Sequence, residues 1–298
     1  MEPSAAGYLP FDGRPFRLRM GLRPLDLDRW IEVDDRRDVE LVEKESLLAT
    51  RHGDVVAFVE HPDVDAAAVE LDELVCEWLG EHGVDFAEVD PGLHPIDRCG
   101  RRAQEDWCLL VDLDATGPIL AAASVCFPTR WTLRDKIGQS TAAIHAPVSR
   151  YDDQLSVPVD RFLDRLAPDG PVWRLNWNVL DDGALHQPVR PSRSVERAGP
   201  RPAGDFDVGH DIWLRVERQT LRRLPGTGAI AFSIRVHQQS LASLAGQRGV
   251  LERLAAAIDA LPEPTFRYKG LPAFAVELRR WIEAAIEQST QPLTPQCE

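Results

Sequence analysis

The sequence is short of positive charge. It has 34 basic side chains against 48 acidic ones, a formal charge of −14. No basic stripe runs along it, so phosphate backbones and anionic membranes are excluded as the main partner. The acidity suits a cationic substrate or a basic redox partner, but solubility alone is the simpler account of it. Cysteine is also scarce. Cys76, Cys99, Cys108, Cys126 and Cys297 are odd in number and irregularly spaced, which gives neither a disulfide framework nor a zinc or ferredoxin-type iron–sulfur motif and fits a reducing cytoplasm. No stretch approaches the ~20 apolar residues of a membrane span, and the N-terminus MEPSAAGYLPFDGRPF lacks a basic segment followed by an apolar run. A cytoplasmic chain, bound to neither membrane nor nucleic acid, is expected. Walker, nucleophile-elbow and HExxH sequences are absent. Gly226 and Gly228 stand between two strand-like runs rather than between a strand and a helix, so they do not form a dinucleotide loop.

What is present is a globular composition, 44% apolar and 28% charged over 298 residues, enough for a sizeable core. Up to about residue 103 the best amphipathic segments are Asp34 to Thr50 and Val64 to Glu81, and the stretch around Pro91, Gly92 and Pro95 reads as a connection. Two strand-like runs follow, WCLLVDL (107 to 113) and ILAAASVCF (119 to 127), with a hairpin signal between them. Short helical pieces occupy the next forty residues, including Thr132 to Gln139 and Val157 to Ala167. Strand character returns at 172 to 180, 211 to 224 and 229 to 239, the last two joined by Pro225, Gly226, Thr227 and Gly228. Residues 181 to 210 have no apolar period and read as a long loop. Helices are expected at Ser240 to Ala260 and Pro272 to Gln288, before a loose tail. The predicted organisation is an N-terminal helical or irregular extension (1–103), a core of five antiparallel strands with a helical crossover (104–239), and C-terminal helices (240–298). This is an α+β arrangement in the order of a PAS fold.

Two features point to chemistry. His145, in AAIHAPV before Pro147, has apolar neighbours; such a ring is either a hydrogen-bonded core histidine or an iron ligand that donates its far N–H to a carbonyl. The later strands alternate polar residues: Arg174, Asn176 and Asn178; Arg215, Glu217 and Gln219; Ser233, Arg235 and His237. Each set lies on one face of its strand. These are solvent-facing ion pairs, or a buried polar patch in which arginines polarise dioxygen and Glu217 holds an amine. Arg218, Arg222 and Arg223 form an anion or propionate candidate, and Trp177 with Trp107, Trp131, Trp173 and Trp213 either walls a planar cofactor or packs the core.

Seven stretches carry a resemblance that spans nearly the whole chain: MGLRPLD with Trp30, QEDWCLL, VCFPTRW, DKIGQSTAAIHAPV, VWRLNWNV, WLRVERQTLRRLP and YKG. Together they resemble the successive blocks of the haem-dependent oxidative N-demethylase family, in which haem b sits in a PAS-like fold. The resemblance implies that dioxygen oxidises a small secondary amine to a primary amine and formaldehyde at haem iron. Electrons would come from separate NADPH-dependent reductase subunits, which hold the flavin, iron–sulfur cluster and tetrahydrofolate. It makes His145 the first choice as axial ligand, with His237 in reserve. On the resemblance and strand parity, Arg215 and Glu217, then Arg174 and Asn176, are expected at the catalytic side, and Arg218, Arg222 and Trp177 at the cofactor. A haem-based gas or small-molecule sensor and a cofactor-free interaction subunit are the competing readings. No output module of a sensor is seen.

Overall fold

In a computed structural model of the chain, the described residues are 8–11, 18–148, 151–188 and 206–289. Much of the expected loop and nearly all of the tail lie outside them. Seven strands form one antiparallel sheet in the order β1-β5-β6-β7-β3-β4-β2: β1 (Arg23–Pro24), β2 (Val56–Phe58), β3 (Asp106–Val111), β4 (Ile119–Ser124), β5 (Val172–Leu180), β6 (Trp213–Arg223) and β7 (Ile230–Ser240). The expected five strands lie side by side within it. The sheet is nonetheless of seven strands, not five, because β1 pairs with β5 at one edge and β2 with β4 at the other. Segments of two and three residues show no period that a sequence pattern can register.

Helix α1 (Arg37–Thr50) leads through α2 (His52–Val55) into β2, and α3 (Pro62–Glu81) follows. Pro62 sits in the first turn of α3, the His61 ring accepts from the Asp63 N–H, and Asp63 and Asp65 face the positive end of the helix dipole. Val64, Ala67, Ala68, Leu71, Val75, Trp78 and Leu79 then form its buried stripe. The expected connection at Pro95 is instead the start of α4 (Pro95–Arg102). The crossover contains a 3-10 turn at Leu133–Asp135 where a longer helix was expected, then α5 (Thr141–His145), α6 (Tyr151–Gln154) and α7 (Ser156–Arg165). After the loop come α8 (Val208–Asp211), α9 (Arg248–Asp259), α10 (Glu263–Tyr268) and α11 (Ala275–Gln288).

The crossover covers one sheet face. Leu133, Ile137 and Ile144 pack with Cys108, Leu120 and Phe232, while Leu163 and Leu166 of and after α7 pack with Ile230 and Leu221. On the opposite face, α3 packs on Trp107, Leu109 and Ala122, and α9 and α11 pack on Val179, Leu214 and Val216. No helix among the described residues is long and apolar enough to cross a membrane.

Candidate functional site

The register decides which polar residues meet. Across β5 and β6, Arg174 pairs with Gln219, Asn176 with Glu217 and Asn178 with Arg215, so all six project from the crossover face. Across β6 and β7, Arg218 pairs with Arg235, Val216 with His237 and Thr220 with Ser233. The polar set of β7 therefore projects from the opposite face, together with Arg218, Arg222 and Trp177. Strand parity alone fixes the side chains of one strand relative to each other; the hairpin register fixes them between strands.

Glu217 is the centre of the crossover-face cluster. Only 6% of it is exposed. Its carboxylate accepts from Thr129 Oγ1 at 2.5 Å, from Gln219 Nε2 at 2.8 Å and from Asn176 Nδ2 at 3.3 Å. Such a group has about four acceptor positions, so one is left over for a ligand N–H. Arg215 is fully buried beside it, but its guanidinium donates to the carbonyls of Phe127 at 2.6 Å and Leu185 at 3.0 Å. It therefore holds the wall of the cluster. Burial lowers the pKa of Arg215, against the opposing pull of Glu217 and Asp106.

His145 is the last residue of α5, which Ser140 caps through its hydroxyl to the Ala143 N–H. Its Nδ1 lies 2.8 Å from the carbonyl of Thr141, one turn back. A carbonyl only accepts, so Nδ1 carries the proton and Nε2 keeps a lone pair. The ring stacks on Tyr151 with centroids 4.7 Å apart. Burial lowers its pKa; the Thr141 carbonyl opposes this, while Lys136 and Arg174 push the same way, favouring the neutral ligating form. Arg174 in turn feels Glu217 and Tyr151.

Three further residues join this cluster. Lys136 donates to the Ile144 carbonyl at 3.2 Å and lies 5.0 Å above the Trp131 ring. Lys269, just after α10, reaches the open edge of β5 and donates to the Trp177 carbonyl at 2.5 Å and to Asn178 Oδ1 at 3.2 Å. Burial pushes its pKa down to about 8, although Glu217 opposes the shift. Tyr268 beside it also senses Glu217. Sequence reasoning named none of Thr129, Lys136 and Lys269 as site residues, yet each stands inside a block that carried the resemblance: VCFPTRW, DKIGQSTAAIHAPV and YKG. A cavity of about 220 Å³ near Arg51, Trp131 and His186 shares no lining residue with the cluster.

On the opposite face the other candidates are engaged elsewhere. Arg218 donates to the backbone carbonyls of Arg29 and Trp30 and lies 3.4 Å from Glu32. Arg222 lies 4.4 Å over the Trp30 ring. His237 Nε2 is 2.9 Å from Glu32, and Trp177 packs edge-on with Phe11. The structure thus divides the expected cofactor-binding set: His145 lies within the charge of Arg174, Arg218 and Arg222 lie on the other face, and Trp177, among the described residues, touches the cluster only through Lys269, which lies 5.1 Å over its ring.

The residues that build this cluster fall within a match to a family model, haem-dependent oxidative N-demethylase, alpha subunit-like, over residues 78–278. The chain belongs to that family. At that level it is a haem-dependent oxidoreductase and a subunit of a larger assembly.

Proposed function

We propose that the protein is the haem-binding subunit of an oxidative N-demethylase acting on a small secondary amine, and that its central strands with their helical crossover form a PAS-like core. The carrying observation is His145: its Nδ1–H is anchored to the Thr141 carbonyl, and its Nε2 has no hydrogen-bond partner among the described residues. This donor set fits a haem, since an axial imidazole needs one nitrogen fixed and the other free. His145 would hold the iron. His237, tied to Glu32 on the other face, is not in a position to share that role.

When bound, haem would supply the iron for a reaction in which dioxygen takes two electrons from a reductase and two from the amine's N-methyl group. One oxygen atom leaves in water and the other in formaldehyde, with two protons taken up. The first two electrons come from a separate NADPH-dependent flavin and iron–sulfur reductase. Glu217 holds the ammonium group of the amine through its remaining acceptor position, while Thr129, Asn176 and Gln219 keep its carboxylate from turning. Arg215 fixes the wall behind Glu217, and its commitment to carbonyls leaves Arg174 as the arginine available to a ligand.

The test is an absorption spectrum of haem-supplied protein. A Soret band that shifts on reduction and on carbon monoxide binding is expected in wild type and lost at stoichiometric haem in His145→Ala. Glu217→Gln should keep haem but weaken amine binding by at least about tenfold, the scale of one charge-assisted hydrogen bond. An unchanged spectrum in His145→Ala excludes the ligand assignment. Haem binding without formaldehyde release from any methylated amine, given a competent reductase, makes the protein a sensor.

A further inference from the structure

Arg174 is a cation with nothing to hold. Among the described residues it has no hydrogen bond and no ion pair, and its Nε is buried without a partner. A guanidinium stays charged in proteins, and this one is half-buried, so a ligand that pairs with it would gain a charge-assisted contact that no described residue now makes. Nor do its neighbours supply an anion to spare. Among the described residues, Glu217 is the one carboxylate whose charge reaches both Arg174 and Lys269, and it is already engaged by Thr129, Asn176 and Gln219. Lys136, Arg174 and Lys269 all feel that negative charge, and of the three only Lys136 also feels a second described carboxylate, Asp135. The cluster has a surplus of positive charge, and a cationic amine would increase it.

We propose that Arg174 is the receptor for a ligand carboxylate in this site, supplied either by a haem propionate or by a substrate that is an N-methylated amino acid rather than a simple amine. This rests on the haem reading above. It moves the anion-binding role from Arg218 and Arg222, which are spent on Trp30, Arg29 and Glu32, to the face that carries His145. A guanidinium binds a carboxylate through two parallel N–H donors. An ammonium at the same place keeps the charge and loses the fork.

The experiment compares wild type, Arg174→Gln and Arg174→Lys. Because Arg174 has no hydrogen-bond or ion-pair partner among the described residues, the Gln variant should fold and melt no lower than wild type without ligand. In the haem-free protein, propionate should raise the melting temperature of wild type and propionamide should not, while Arg174→Gln should respond to neither. A second arm measures affinity for haem and for haem dimethyl ester, and a third titrates haem-loaded protein with N-methylglycine and with dimethylamine. A preference of about tenfold for the free acid in one of these arms, lost in Arg174→Gln and partly kept in Arg174→Lys, assigns the source: propionate in the second arm, substrate in the third. If Arg174→Gln discriminates as wild type does in every arm, or if wild type shows no preference for a carboxylate, the proposal is overturned. If the protein takes up no haem, the haem reading falls and the first arm alone decides on Arg174.

Discussion

Glu105 shows how much a single buried carboxyl group weighs in this protein. It is fully buried, its Oε1 accepts from the Glu32 N–H at 2.8 Å, and its Oε2 has no partner. Burial pushes its pKa up to about 7, against the attraction of Arg235 and with the repulsion of Glu32. A carboxyl whose folded pKa is raised binds more protons in the folded state, so stability falls as pH climbs from the ordinary glutamate range to about 7 and is level above that. Glu105→Gln keeps an acceptor for the Glu32 N–H and removes the charge. Arg235 would still hold Asp34 and Glu40 at 2.6 and 2.7 Å. The variant should lose this part of the pH slope and gain up to about 3 kcal/mol over wild type at pH 8. Denaturant midpoints of both proteins at pH 5 and pH 8 decide it: equal differences at the two pH values contradict the raised pKa.

Between elements, two contacts are tight enough to predict. Helix α4 meets β4 through Gly100, where an added Cβ would stand 2.0 Å from Ser124 Oγ and 2.9 Å from its Cβ. The helix must move away or Ser124 must turn into a full core, so Gly100→Ala should cost about 2 kcal/mol, read from urea midpoints. The second contact joins α3 to the β6–β7 hairpin. Glu70 accepts from the Gly226 N–H at 2.6 Å, the Thr227 N–H at 2.7 Å and the Thr227 hydroxyl at 2.6 Å. Burial alone would raise its pKa, but the Thr227 hydroxyl and the two turn amides outweigh it and bring it below the usual value. A depressed carboxylate stabilises the fold above the ordinary glutamate range and ceases to as pH falls through its folded pKa. Glu70→Ala should cost about 1 kcal/mol at pH 7, after allowing for the exposure of the contact, and progressively less as pH falls below the ordinary glutamate range. An equal loss at pH 7 and below that range would mean that the side chain acts by packing.

At the scale of the whole molecule, the site draws on the turn after β4, on α5, on β5 and β6 and on the residue after α10. A ligand that fills it ties together parts of the chain more than a hundred residues apart. At free haem about a hundred times its Kd, the gain is about 2.7 kcal/mol, or roughly 4 °C in Tm for a chain of this size. Scanning calorimetry should show that rise in wild type and none in His145→Ala.

The legible part of the molecule was the part with a period. Val172–Leu180 alternates, and the expected strand matches β5 at both ends. The stripe of α3 was read in the same way. Helix α4 was not, because PIDRCGRR buries Asp97, Gly100 and Arg102 beside Ile96 and Cys99, and an apolar pattern cannot report a buried polar face. In the site, the shared face of Arg215 and Glu217 followed from their spacing. The capture of Arg215 by carbonyls and the turn of the β7 set to the other face depend on register and on distant backbone, which no local pattern holds.

Thr129 binds Glu217 and also forms a parallel bridge with Gln187, where Arg130 N–H donates to the Gln187 carbonyl at 2.6 Å and Gln187 N–H to the Pro128 carbonyl at 3.2 Å. The stem of the long loop is thus stitched to the residue that orients the central carboxylate. A change at Gln187 would be felt at Glu217, and if Glu217 holds the amine as proposed, the grip on it could be retuned from the stem of the loop.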